Sequence, residues 1–214
     1  MRRCWMLALA LVVALPVGAA GQAPAAPGQA VYDSLKARLV GGDTIIDYRA
    51  FRFAFAETPH YDPFGARTGD IREQMMNAFY RSRDLVAARD AADSLLRSNY
   101  VDIDAHMIAA LTSANLGDDD RRKFHASVAR GLAASIAPPE VDNTVDAPYV
   151  VIGVVEEDAL LRMHGWRRGN QAVVSCDGQP CDRIEVTRPA TGESAVLYFD
   201  ISRPQEFLRR QTEP

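Results

Sequence analysis

The chain has few lysines and no cluster of basic residues. Lys36 and Lys123 are its two lysines, the other basic residues are arginines, and the formal net charge at pH 7 is -4. Nucleic acids and anionic membrane surfaces attract proteins through concentrated positive charge. A mildly acidic chain without such a cluster is a poor candidate for either partner, so we predict no nucleic-acid binding.

Common signatures of catalysis and cofactor binding are also missing. No two histidines lie three or four residues apart, as they would in a zinc-binding His-Glu-x-x-His helix. No serine stands in a Gly-x-Ser-x-Gly turn, and there is no Gly-x-x-x-x-Gly-Lys phosphate loop. The acidic run Asp118–Asp120 lacks the alternating acids of a calcium loop and suits a helix N-terminus better. We therefore predict no cofactor and no metal, and we assign no catalytic residue.

Long hydrophobic runs are absent except near the N-terminus. There two arginines precede an apolar run from Leu7 to Val17, which small residues follow at Gly18–Ala20. This order is typical of a secretory signal peptide, and the run is shorter than the roughly 20 residues that span a membrane. We predict a signal peptide at residues 1–20 and an exported protein, periplasmic or secreted, with no stable membrane span after cleavage. An uncleaved anchor is the alternative.

The residues after the predicted signal are mostly Gly, Gln, Ala and Pro, which bury little surface. We predict a disordered mature N-terminus at residues 21–29.

Cysteine is scarce, and two of the three cysteines lie close together. Cys176 and Cys181 flank Asp-Gly-Gln-Pro, a strong turn sequence in which Asp177-Gly178 suits positive backbone angles. Exported proteins favour disulfides, so we predict a bridge across this hairpin. A redox or metal site is the alternative, although the spacing differs from Cys-x-x-Cys.

Residues 30–137 carry apolar side chains at helical spacing. A short helix at Val31–Val40 precedes an aromatic-rich helix at Asp47–Ala56, and four helices joined by short turns follow between Asp70 and Ile136. The four later helices repeat weakly at a period of about 34 residues, which is typical of tetratricopeptide-like hairpins. The sequence therefore predicts a tetratricopeptide-like helical half.

The pattern changes after a polar connector at residues 138–148. Residues 149–214 predict a small antiparallel sheet with a packed helix. The predicted elements are a strand at Tyr149–Val155, a helix at Glu156–His164, strands at Gln171–Cys176, Asp182–Arg188 and Ala195–Ile201, and a short helix at Pro204–Arg210. The fold class predicted for the whole chain is α+β.

Several segments resemble an uncharacterised family of exported bacterial proteins that is catalogued only as a domain of unknown function. The similarity lies in Asp47 to Gly65, in Val151-Ile152 and Glu156-Glu157, and in Leu197-Tyr198-Phe199-Asp200. The resemblance implies an exported α+β protein and supplies no catalytic residues. The chain has Pro138-Pro139 where members of that family often have a Gly-Asp-Gly-rich connector.

The loop after the aromatic helix and the helix itself hold the best candidates for a binding site. Irregular loops carry function more often than helices do. The candidate binding residues are Tyr48, Arg52, His60, Tyr61 and Asp62. The alternative is that the loop aromatics only pack onto the helical core.

Three functions fit these observations. The first is a non-enzymatic envelope protein that binds a protein or peptide partner through its stacked helices. The second is a hydrolase-like enzyme at the junction of the two halves, for which the side chains of His60, Asp62 and Glu157 must converge. The third is a small-ligand binder that uses the aromatic helix, whose aromatic residues are otherwise core.

Overall fold

The computed structural model describes residues 27–212, so the predicted signal peptide and residues 21–26 lie outside the described part of the chain. The elements in chain order are α1 (Pro27–Val40), α2 (Tyr48–Phe55), α3 (Gly69–Met76), a π-helical turn (Asn77–Ser82), α4 (Leu85–Ser98), α5 (Ile103–Asn115), α6 (Asp119–Ile136), β1 (Tyr149–Val150), α7 (Val154–Met163), β2 (Arg167–Cys176), β3 (Gln179–Arg188), β4 (Glu193–Asp200) and α8 (Ser202–Thr212). The α+β prediction is confirmed.

Helix α1 begins earlier than the sequence suggested. Residues 27–29 are helical, so the prediction of a disordered segment at 21–29 is wrong for its last three residues. Gly28 is buried, and a Cβ built there would lie 2.5 Å from the Cβ of Glu57. Glycine therefore allows the first turn of α1 to pack closely on the end of α2. This packing orders residues 27–29.

Aspartates begin four of the helices in the N-terminal half. Asp47, Asp84, Asp102 and Asp118 each accept a hydrogen bond from the backbone amide three residues later. This is the usual N-cap interaction, and it fixes where α2, α4, α5 and α6 start. Helix α4 packs on both α3 and α5, and α6 packs on α5 and α2. The four consecutive helices predicted between residues 70 and 136 are confirmed.

The sheet is mixed, whereas the sequence predicted an antiparallel one. Its strand order is β1-β4-β3-β2; the β2–β3 and β3–β4 pairs are antiparallel and the β1–β4 pair is parallel. The predicted strand at Tyr149–Val155 is two residues long, because α7 begins at Val154. A Cβ on Gly153 would lie 2.9 Å from the carbonyl oxygen of Pro63, so the chain turns there against the loop after α2.

The predicted hairpin between β2 and β3 is confirmed, including its disulfide. Asp177 and Gly178 both have positive φ angles, of 49° and 80°, and Cys176 pairs in register with Gln179. Two consecutive positive φ angles are the geometry of a tight hairpin turn. Cys176 and Cys181 are joined by a disulfide.

The hydrophobic core continues from the helical half into the sheet half. One cluster joins Phe51 of α2 and Leu132 of α6 to Leu160 of α7 and Phe199 of β4. A second cluster lies among the π-helical turn and α3 to α5, around Met75 and Leu95. The shared core holds the two halves in one fixed arrangement, and the residues between them are therefore positioned by both.

Candidate functional site

The structure separates the five predicted binding residues into two groups. Tyr48 and Arg52 lie on α2, whereas His60, Tyr61 and Asp62 lie in the loop after it. The Tyr48 ring packs against Gly131 of α6, where an added Cβ would lie 2.1 Å from the ring. Its hydroxyl donates to the Thr44 carbonyl oxygen. Tyr48 therefore packs α2 on α6.

Arg52 is fully buried between the halves. Its Nε and Nη2 donate to the two carboxylate oxygens of Glu156 at 2.7 Å each, and Nη2 also donates to the Val150 carbonyl oxygen at 3.0 Å. Its Nη1 lies 3.3 Å from the carbonyl oxygen and from the hydroxyl of Ser135. A bidentate pair of this kind fixes orientation strongly. The guanidinium joins α2 and α6 to α7 and is enclosed by the protein.

The loop after α2 is held in place by Tyr61 and Asp62. The Tyr61 hydroxyl donates to the Ile152 carbonyl oxygen at 2.5 Å, and burial raises the pKa of Tyr61. The Asp62 carboxylate accepts from the backbone amides of Ala66 at 3.0 Å and Arg67 at 2.8 Å. His60 is exposed. Two of the three loop candidates thus order the loop, and the third faces solvent.

The three side chains named for a hydrolase-like site do not converge. His60 is exposed, Asp62 is used by the loop amides, and Glu157 pairs with Arg168 at 3.0 Å. No hydrogen bond joins any two of these three side chains in the described region. The geometric condition for that enzyme hypothesis is therefore not met.

A network of buried ions lies where α3, α5 and α7 meet. Asp104 accepts from Arg72 of α3 at 3.2 Å and from Arg162 of α7 at 3.0 Å, and Arg72 also pairs with Asp102. Burial raises the pKa of the Asp104 carboxyl, although the hydrogen bond from Arg162 opposes the rise. The cavity beside this network has a volume of about 20 Å³, which is room for a single water. The junction is thus closed to a substrate.

A larger open groove lies on the other side of Tyr61. It runs between the loop after α2 and helix α8 and has a volume of about 780 Å³. Phe64 and Leu208, which are 38% and 41% exposed, line it, together with Arg67, Arg203 and Arg210. We call this surface the α8 groove. It contains an apolar centre surrounded by both cationic and acidic side chains, the acids being Glu57, Asp62 and Glu206.

A buried pair of histidines, which we did not predict from the sequence, lies between α5 and α6. The Nδ1 atoms of His106 and His125 lie 2.8 Å apart, and Nε2 of His106 lies 3.1 Å from the Tyr100 carbonyl oxygen. Burial lowers the pKa of His106 to about 3 and that of His125 to about 4. A signal was present in the sequence, because His125 shares the apolar helical spacing of Val128 and Leu132.

A second missed pair consists of two buried carboxyl groups, Glu157 of α7 and Asp182 of β3. Glu157 Oε1 and Asp182 Oδ1 are buried without a hydrogen-bond donor when both groups are ionised. Burial raises the pKa of Glu157 to about 8, and the neighbouring Asp182 charge adds to the rise, whereas Arg168 opposes it. A proton held by Glu157 lets one carboxyl donate to the other. Asp182 alternates with Ile184 and Val186, and this spacing already indicated an inward-facing side chain.

Residues 27–212 contain no group of three or more His, Cys, Asp or Glu side chains arranged to hold a metal ion. None of the helices in that range is both long enough and apolar enough to cross a membrane.

Comparisons with protein-family models, with curated proteins and with solved structures found no match to this chain. The resemblance to an uncharacterised exported family therefore stays a prediction.

Proposed function

We propose that this protein is exported to the cell envelope or secreted, and that it is a non-enzymatic module that binds a protein or peptide. The N-terminal sequence supports export, and the disulfide between Cys176 and Cys181 is compatible with an oxidising compartment. The α8 groove is the observation that carries the binding function.

The α8 groove differs from the junction in being open and large enough for a peptide side chain. Phe64 and Leu208 present apolar surface within it, and exposed apolar surface beside polar groups is typical of interaction sites. Tyr61 of the loop belongs to the core and Phe207 of α8 packs against it, so each wall of the groove is anchored beside its exposed apolar residue.

Two arginines of the groove are available to a partner that carries a carboxylate, whereas two of its acids, Asp62 and Glu206, are engaged by loop amides and by arginines of α8. Arg67 donates to the neutral carbonyl oxygens of Pro59 and Tyr61, and Arg203 lies over the Phe53 ring at 4.3 Å. Neither guanidinium has an acidic partner within 4 Å in the described part of the chain. Both therefore keep a positive charge that an incoming carboxylate neutralises.

The partner segment that fits is an apolar side chain next to a carboxylate, such as an acidic peptide or the C-terminus of a protein. The apolar side chain enters between Phe64 and Leu208, and the carboxylate pairs with Arg67 or Arg203. This mode is one of the recurring ways in which peptides are recognised.

Quantitative co-purification from the envelope fraction tests this proposal, with the tagged mature protein compared with two variants. Arg203→Glu reverses a charge inside the α8 groove, whereas Arg130→Glu makes the same change on the exposed face of α6. We expect a near-stoichiometric partner to be lost with Arg203→Glu and with Leu208→Asp, and kept with Arg130→Glu. Cross-links from the groove should map to a partner segment that contains an apolar residue beside a carboxylate.

Two outcomes contradict the proposal. One is a partner retained by both groove variants, which places its binding elsewhere. The other is the absence of any partner while all the variants remain folded by circular dichroism.

A further inference from the structure

A second pocket lies in the helical half and shares no lining residue with the α8 groove. It opens between the end of α1, helix α4 and the first turns of α6, with a volume of about 600 Å³. Its lining includes Lys36, Arg97, Tyr100, Asp120, Phe124 and His125. We call it the histidine pocket. Its volume lies in the range of small-molecule sites.

The histidine pair fixes which atom His125 presents to this pocket. A carbonyl oxygen only accepts hydrogen bonds, so Nε2 of His106 must carry the proton that meets the Tyr100 carbonyl oxygen. His106 is neutral at pH 7, since burial lowers its pKa to about 3, and its Nδ1 is therefore a bare acceptor. His125 must then donate from its own Nδ1 across the 2.8 Å contact.

The consequence is a lone pair on Nε2 of His125. This ring is also neutral at pH 7, because burial lowers its pKa to about 4, and its one proton is on Nδ1. The side chain is 95% buried, being 5% exposed, and Nε2 has no hydrogen-bond partner among residues 27–212. Since Nδ1 faces His106, Nε2 is the nitrogen left for a ligand in the pocket. Nε2 can accept a hydrogen bond from a ligand donor that enters the pocket.

Two cationic side chains of the pocket, the half-buried Lys36 and the exposed Arg97, favour a ligand that also carries a negative charge. The Lys36 ammonium lies 5.7 Å from the centre of the Tyr32 ring and 5.2 Å from that of Tyr100, and no carboxylate of the described residues is within 4 Å of it. Arg97 donates to the Ser94 hydroxyl and likewise has no acidic partner there. Arg121, by contrast, is paired with Asp93. Two cations and one carboxylate, that of Asp120, thus remain outside ion pairs in the described lining, which leaves it with a net positive charge.

We propose that the histidine pocket binds a small hydroxylated carboxylate, about the size of a hexuronate. A ligand hydroxyl donates to Nε2 of His125, and the ligand carboxylate pairs with Lys36, the less exposed of the two cations. Tyr100 and Phe124 supply the flat apolar surfaces on which a sugar ring rests. This site is independent of the α8 groove and of any partner bound there.

Calorimetric titration at pH 7 with D-glucuronate as the probe tests the inference. Methyl β-D-glucoside has the same ring without the carboxylate, and cyclohexanecarboxylate has the carboxylate without hydroxyls. We expect D-glucuronate to bind at least about tenfold more tightly than either, because each comparison compound leaves one polar group of the pocket unpaired. Equal binding of the three compounds, or no saturable binding of D-glucuronate, overturns the proposal.

The chain offers matched control variants. Lys36→Gln removes the pocket cation that pairs with the ligand carboxylate, and Lys123→Gln makes the same change on an exposed lysine that is paired with Asp119. We expect about a tenfold loss of D-glucuronate affinity for Lys36→Gln and no change for Lys123→Gln. His125→Phe should likewise weaken binding, whereas His164→Phe should not. Equal effects in a variant and its control contradict the assignment.

A nitrogen NMR measurement on the unaltered protein keeps the test valid if His125→Phe fails to fold. The proposal predicts that the Nε2 resonance of His125 shifts towards the hydrogen-bonded value on saturation with D-glucuronate, while the resonances of His164 stay in place. An unchanged Nε2 resonance at saturation removes His125 from the site and overturns the proposal.

Discussion

The two halves of the molecule each bury a pair of titratable side chains, and the two pairs avoid charge in opposite ways. In the helical half, His106 and His125 stay neutral by releasing protons, because burial lowers their pKa values to about 3 and about 4. In the sheet half, Glu157 stays neutral by keeping its proton, because burial raises its pKa to about 8. Desolvation disfavours the charged form in both cases, and the type of side chain decides the sign.

Because the pKa values of the two pairs shift in opposite directions, the stability of the protein should have a maximum with respect to pH. The free energy of unfolding rises with pH wherever the unfolded chain binds more protons than the folded one, and it falls where the folded state binds more. Below its unfolded pKa of 6.5, the histidine pair makes the free energy of unfolding rise with pH. Between its unfolded pKa of 4.5 and its folded pKa of about 8, Glu157 makes the free energy of unfolding fall as the pH rises. The two pairs together favour greatest stability near pH 6.5.

The largest effect that we expect comes from the histidine pair. Lowering the pH from 6.5 towards 4 should reduce the histidine pair's contribution to the free energy of unfolding by at most about 2.7 kcal/mol per pH unit, since two depressed histidines each contribute about 1.4. Above pH 4.5 the opposite contribution of Glu157 leaves a net slope from these groups of about 1.4 kcal/mol per pH unit. In His106→Gln, whose amide can accept from His125 and donate to Tyr100, the histidine contribution should fall by about half, so that the net slope above pH 4.5 nearly disappears. Urea unfolding at several pH values measures it. His164→Gln is the control, and equal slopes in both variants contradict the assignment.

Glu157 should produce a slope of opposite sign in the sheet half. Between pH 4.5 and 8 its contribution to stability should fall by about 1.4 kcal/mol for each unit of rising pH. Glu157→Gln keeps a donor for Asp182 without titrating and should remove that contribution. The same urea series tests it, with Asp158→Asn as a control that alters the exposed partner of Arg168. A slope that persists in Glu157→Gln, or that disappears in both variants, argues against a retained proton.

Breaking the Arg52–Glu156 ion pair between the halves tests whether the two halves unfold together as one cooperative unit. Arg52→Met leaves the buried Glu156 carboxylate without its partner, which should cost about 3–5 kcal/mol. Because one core crosses the boundary, unfolding should still occur in a single transition when followed by both circular dichroism and tryptophan fluorescence. Arg38→Met, which removes an exposed pair with Asp43, should have no measurable effect. Separate transitions for the two probes would mean that the halves unfold independently.

Local signals in the sequence located most of the elements. Aspartates at positions 84 and 118 mark helix starts by capping backbone amides nearby, and Asp177-Gly178 adopts the positive angles of a tight turn. In each case, the residues that determine the geometry are close together in the chain. Such features are predictable because no distant segment is needed to produce them.

Features that depend on distant residues were missed. Arg52 and Glu156 are 104 positions apart, so the sequence offered Arg52 as a binding residue and Glu156 as a helix-start acid without linking them. The parallel pairing of β1 with β4 was missed for the same reason, since it depends on where the chain returns after α7, β2 and β3. The pairs of histidines and carboxyls required knowing which helix or strand faces which.

The smallest effect concerns the disulfide, which lies in the sheet half alone. Cys176 and Cys181 close a loop of few residues, and constraining such a short loop should stabilise the fold by about 2 kcal/mol. Adding a reductant should lower the urea midpoint of the unaltered protein by the corresponding amount. The double variant Cys176→Ala, Cys181→Ala should not respond to the reductant, which separates the bond from the loss of buried sulfur. The slope from the histidine pair should be the same with and without reductant, because that pair belongs to α5 and α6. If reduction also changed the histidine slope, the protonation of the two halves would be coupled through the shared core.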